Sequence, residues 1–158
     1  EGGSENRLAT IKTIRSISDC EIPVVAHLGL TPQSINSIGG YKVQGKKDAQ
    51  YQQILQQAID VEKAGAFMLV LEAIPEKLGK EISENISIPT VGIGAGKYTD
   101  GQVLVYHDIL GMSDFQPKFV KKYANLEELI SNKIGEYCDD VKSEKFPQKE
   151  NIYYPIED

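Results

Sequence analysis

Hydrophobic residues fall along this chain in two rhythms. Three short runs are nearly continuous: Ile22 to Ala26, Phe67 to Leu71 and Ile88 to Ile93, the first and last with Pro23 and Pro89 at their second positions. Unbroken apolar runs of this length read as strands buried on both faces of a parallel sheet. Leu104-Val105-Tyr106 reads as a weaker fourth strand. The second rhythm is helical. Ser4 to Ile17 places Leu8, Ile11, Ile14 and Ile17 on one side, and Asp48 to Lys63 does the same with Tyr51, Ile54, Leu55, Ala58 and Ile59. Gly65 is placed to end that second helix. Pro75 suits the first turn of a helix running through Leu78 and Ile82. A last helix spans Leu126 to Val141, with Leu126, Leu129, Ile130, Ile134 and Tyr137 on one side.

Strands alternating with helices predict an α/β fold whose parallel strands are joined by helical crossovers. The connection from Leu28 to Lys47 is about 20 residues, and loops of that length usually carry function. The tail from Pro147 to Asp158 is irregular, suited to packing on a neighbour or fraying. Glu1-Gly2-Gly3 resembles a turn that follows a strand in a βα unit, yet no strand precedes it, as if the sequence began in mid-fold.

With 158 residues the chain is long enough for one domain. Its 23 acidic residues outnumber 17 basic ones, a balance opposed to nucleic acid or anionic membranes as partners. The longest apolar stretch, Ala64 to Ala73, holds Gly65 and Glu72 and is too short to span a membrane. Two cysteines, Cys20 and Cys138, form neither a disulfide framework nor a metal spacing, which fits a reducing cytoplasm.

In parallel β/α folds chemistry gathers at the carboxyl ends of the strands. Those ends offer His27, Glu72, Gly94-Ala95-Gly96 and His107-Asp108, with Glu1 added if a strand precedes it. Glu72 follows an apolar run, so its carboxylate is poorly solvated and suits a general base. The bland alternative is a carboxylate satisfied by the amino end of the next helix, near Pro75. His27 is placed either to donate to a substrate carboxylate or keto oxygen or to bond a nearby carbonyl as a core histidine. His107 and Asp108 fit a structural hydrogen bond better than a ligand site. Gly94 and Gly96 allow either a close approach to an anion or a tight turn; the G-x-G-x-G spacing is not a dinucleotide fingerprint. The segment Gly39 to Gly45 suits a lid or a mobile connection, with Lys42 in solvent.

Four blocks together resemble the ketopantoate hydroxymethyltransferases. They are HLGLTPQSINSIGGYKVQGK (His27 to Lys46), LVLEAIP (Leu69 to Pro75), IPTVGIGAG (Ile88 to Gly96) and TDGQVLVYHDILG (Thr99 to Gly111). The likeness covers about residues 1 to 122, and the first block is long enough to be highly specific. It implies a (β/α)8 TIM barrel of the phosphoenolpyruvate/pyruvate type, of which this chain would supply the carboxy-terminal half. Residues 1–122 would be strand and helix units with active-site loops, and 123–158 the terminal helix and tail.

The resemblance also implies a reaction. A hydroxymethyl group passes from 5,10-methylenetetrahydrofolate to 3-methyl-2-oxobutanoate, giving 2-dehydropantoate on the route to pantothenate and coenzyme A. The intermediate is an enolate stabilised by Mg2+. Glu72 matches the family's proton acceptor, His27 its substrate-contacting histidine, and Glu1 the metal-associated glutamate of an EGG turn. The family's first four strands, with the aspartates that hold the metal, have no counterpart in this sequence. The implied partners are the oxo acid, the folate, an amino-terminal half-barrel and further copies of the chain in a decamer. The competing readings are another oxo-acid lyase of the same superfamily and an inactive half-barrel that only associates or binds an anion.

Overall fold

The computed structural model describes residues 7–36, 40–114 and 116–155. The chain divides into two compact units, Glu1–Leu104 and Val105–Asp158.

The first unit runs α1 (Arg7–Asp19), β1 (Val24–Gly29), α2 (Asp48–Lys63), β2 (Ala66–Glu72), α3 (Glu76–Asn85), β3 (Thr90–Ile93) and β4 (Gly101–Gln102). The strands form one parallel sheet in the order β1-β2-β3-β4, so each crossover leads to the adjacent strand. Alternate residues of the strands face opposite sides. Ala26, Leu28, Leu69 and Leu71 turn to one side and are buried with Ile14 of α1, Ile54, Ala58 and Val61 of α2, and Leu78 and Ile82 of α3. The core is therefore a single layer of helices on one face of the sheet, each fully buried leucine contributing about 1.5–3 kcal/mol. The other face carries Val25, Met68, Val70, Val91 and Ile93 and is only partly covered; Val25 is 42% exposed. Both-face burial, predicted from the continuous runs, is thus present on one face of this chain and incomplete on the other.

Polar contacts tie the helices to the layer. The Arg15 guanidinium donates to the Lys63 carbonyl at the end of α2. Glu62 accepts from the Ser87 amide (2.7 Å) and hydroxyl (2.6 Å), which hold its carboxyl below the usual glutamate range. Tyr51 donates to Glu81 across α2 and α3 at 2.5 Å.

Leu104-Val105-Tyr106 is not a strand. The fourth strand lies earlier, where Gly101 and Gln102 pair with Val91 and Gly92. Val105 instead caps a short helix, α4 (Tyr106–Leu110), its carbonyl accepting from the amides of Asp108 and Ile109. Three apolar residues hold too little pattern to separate a strand from a helix start.

The second unit holds α4 and α5 (Leu126–Lys142), followed by a single turn at Lys149–Asn151 in an otherwise irregular tail. The apolar side of α5 is exposed: Leu129, Ile130, Ile134, Tyr137 and Val141 all remain open, with Tyr137 meeting Phe146 edge to face. Among the described residues no helix is long and apolar enough to cross a membrane.

Candidate active site

The carboxyl ends of β1 and β2 lie side by side, Gly29 opposite Glu72 and His27 opposite Val70. This register puts His27 and Glu72 on the same side of the sheet as diagonal neighbours, on the face away from the helices. His27 Nε2 lies 3.1 Å from Glu72 Oε2, with the two side chains 11% and 15% exposed. The approach is close but not aligned as an ordinary hydrogen bond. The histidine thus meets a carboxylate of the chain itself, where the sequence offered a substrate oxygen or a backbone carbonyl.

The backbone around Glu72 is held from three directions. Its carbonyl accepts from the Leu30 amide at 2.8 Å. Ala73 donates to Ile93 at 2.9 Å and accepts from the Gln44 amide at 2.9 Å. Ala73 itself sits in the left-handed region, φ 48°, which turns the chain sharply after the carboxylate. Gln44 is buried; its side chain donates to the Lys42 carbonyl (2.7 Å) and accepts from Gln50 (2.6 Å), while Gln50 also accepts from the Gly45 amide (2.7 Å). The end of the long loop is thereby locked to the first turn of α2 and to the turn after Glu72. Lys42 is exposed, as predicted. Gln44 and Ala73 were not legible as site residues: their partners are backbone atoms distant in sequence.

Packing accounts for the glycine turn after β3. Gly94 and Gly96 have φ 65° and 82°. A Cβ on Gly96 would lie 2.3 Å from Glu76 Cγ, and one on Gly79 would lie 2.4 Å from the Ala95 carbonyl. The turn is wedged against the start of α3, and Gln102 braces it by donating to Gly96 O and Thr99 Oγ1, each at 2.8 Å. Asp100 accepts from the amide and hydroxyl of Thr90 (2.7 and 2.9 Å), which hold its carboxyl below the usual aspartate range and pin the start of β3.

His107 lies on α4 in the second unit, exposed and in contact with the Tyr106 ring. Glu1, assigned to the metal, lies outside the described residues. Among the described residues no group of three or more His, Cys, Asp or Glu could hold a metal ion. These side chains alone do not make a magnesium cage, which needs several oxygen ligands.

The family model for ketopantoate hydroxymethyltransferase matches residues 1–149, nearly the whole chain. The chain belongs to the ketopantoate hydroxymethyltransferase family. It is 51% identical to the 3-methyl-2-oxobutanoate hydroxymethyltransferase of Clostridium botulinum (strain 657 / Type Ba4) over 154 residues, 97% of this chain and 54% of that protein. It is 55% identical to the same-named protein of Geobacter sulfurreducens over 148 residues, covering 93% of this chain and 54% of that one. With that of Thermosipho africanus it shares 48% over 154 residues, 97% and 57% of the two chains. The chain therefore spans about half the length of the curated relatives it matches. Within this ketopantoate hydroxymethyltransferase family member, Glu72 and His27 are the pair that the sheet register brings together.

Proposed function

We propose that this chain carries the proton-abstracting side of a ketopantoate hydroxymethyltransferase site. The reaction is transfer of a hydroxymethyl group from 5,10-methylenetetrahydrofolate to 3-methyl-2-oxobutanoate, giving 2-dehydropantoate for pantothenate synthesis. The observation that carries this reading is the placement of Glu72: a mostly buried carboxylate at the end of a parallel strand, its backbone fixed on three sides. The proton beside a keto group is too weakly acidic to leave at neutral pH without a well-placed base. Glu72 takes that proton and the C–H electron pair moves toward the keto oxygen; the enolate carbon then bonds to the methylene carbon as its bonds to the two folate nitrogens break, with water supplying the hydroxyl and tetrahydrofolate leaving. Magnesium, which the family relationship implies as the ion that would stabilise such an enolate, has no cage among the described residues.

Consecutive parallel strands with all core helices on one face favour closure into a (β/α)8 barrel, to which this chain contributes half. The other half would supply the metal ligands. Assembly into a homo-oligomer and a cytoplasmic setting belong to the same reading.

The test is hydrogen–deuterium exchange at the carbon beside the keto group of 3-methyl-2-oxobutanoate, with the complete enzyme and magnesium. Glu72→Gln keeps the shape of the side chain and removes its basicity, so exchange falls by about 100- to 10,000-fold. Exchange near the wild-type rate in that variant would take Glu72 out of the mechanism. No exchange in the wild type would leave the inactive half-barrel.

A further inference from the structure

We propose that His27 is a positioning residue for the base: its Nε2 holds a proton against Glu72 Oε2 and leaves Oε1 to receive the substrate proton. The proposal rests on the reading of Glu72 as the base and goes beyond the substrate contact that family resemblance implies for His27.

Two lone pairs facing each other at 3.1 Å in a mostly buried pair would repel, which favours a proton on one of the two atoms directed at the other. A base must be ionised to act, which puts that proton on Nε2. The surroundings sharpen the effect. The strands packed around the pair present Val25, Met68, Val70, Val91 and Ile93 on its face. None of these side chains is charged. With little water to screen it, the contact between imidazole and carboxylate is stronger than at a surface. The backbone of Glu72 is fixed, but its side chain retains rotatable bonds that the backbone contacts do not restrain. A ring on the neighbouring strand does restrain them.

In the step itself the substrate C–H bond breaks and its electron pair forms the enolate. The proton goes to Glu72 Oε1, and His27 keeps its own. An N–H donor favours the ionised carboxylate, so losing it moves ionisation of the base to higher pH.

Two variants separate this role from a structural one. His27→Gln places an amide N–H where Nε2 lies; His27→Asn places one near Nδ1, too short to reach Glu72. Both are tested in the complete enzyme by the pH profile of kcat and by KM for 3-methyl-2-oxobutanoate. His27→Asn is expected to lower kcat on the order of 10- to 100-fold, to move the acid limb to higher pH and to change KM little. His27→Gln is expected to keep the acid limb in place and to retain most of kcat. An acid limb that stays put in His27→Asn, or moves equally in both variants, overturns the proposal; a rise confined to KM does so in favour of a direct substrate contact. Glu72→Gln keeps the two claims apart. If it retains activity, the base reading falls; if it is inactive while the His27→Asn limb is unmoved, only the positioning role falls.

Discussion

Gly29 lies so close to Glu72 that a Cβ placed on it would sit 2.1 Å from the Glu72 carbonyl oxygen. Its φ of 94° adds a second requirement for glycine. β1 thus closes onto β2 at the residue that carries the candidate base, two positions beyond His27. Gly29→Ala meets left-handed strain of about 1–2 kcal/mol and a clash with backbone that cannot swing away. The variant is expected to unfold at lower temperature and to lose exchange activity beyond what its reduced stability explains, because the strands part where His27 meets Glu72. Thermal denaturation beside the exchange assay checks this, and a Gly29→Ala enzyme equal to wild type in both would show the close approach to be dispensable.

Burial and the hydrogen bond to Glu81 push the Tyr51 phenol up to about 12. An unfolded tyrosine ionises near 10. The stabilisation from the protonated phenol is therefore complete below about pH 10 and is lost as pH rises from there toward 12. Tyr51→Phe removes the contact between α2 and α3 and this alkaline sensitivity together. At neutral pH it is expected to cost about 1 kcal/mol, and the difference from wild type should shrink above about pH 10. Urea unfolding at a series of pH values measures both. A difference that stays constant through the alkaline range would mean that the Tyr51 phenol does not carry the pH dependence.

The parts of this molecule written in local pattern were legible in the sequence. Phe67 to Leu71 reads as a strand because a buried strand in a parallel sheet has no polar side to display. Glu72 stands out because a carboxylate ending such a run conflicts with its surroundings unless it is used. What escaped depends on pairs distant along the chain. Nothing near Gln44 in sequence indicates that its amide meets the Ala73 carbonyl, and nothing near His27 indicates a carboxylate partner rather than a carbonyl. Ala73 is equally silent: alanine gives no hint of a positive φ, which here is imposed by the hydrogen bonds from Gln44 and to Ile93. The strand predicted at Leu104 to Tyr106 failed for a related reason. Three apolar residues fit a strand or a helix start equally, and the choice was made by Gly101 and Gln102, which hold the place beside β3.

On its own, the chain exposes surface that a whole barrel would cover. Its sheet has helices over one face only, and the other presents Val25, 42% exposed, alongside Met68, Val70, Val91 and Ile93. β1 forms one edge of that sheet, and from Val24 to Gly29 its only ionisable side chain is His27. An open apolar face next to an uncharged edge favours association with anything that supplies strands. The exposed apolar side of α5 adds a second adhesive surface. Residues 1–158 alone are therefore expected to be poorly soluble or to associate, and to show no magnesium-dependent turnover, since the described side chains form no metal cage. Adding a chain that carries the first four strands of a relative should raise solubility and restore turnover together, because both follow from covering the same face. Light scattering and the exchange assay, with intact mass to establish which chains are present, decide the matter. A soluble monomer that unfolds cooperatively by itself would contradict the exposed-face argument, and turnover by material whose mass spectrum holds only this chain would contradict the need for a second half.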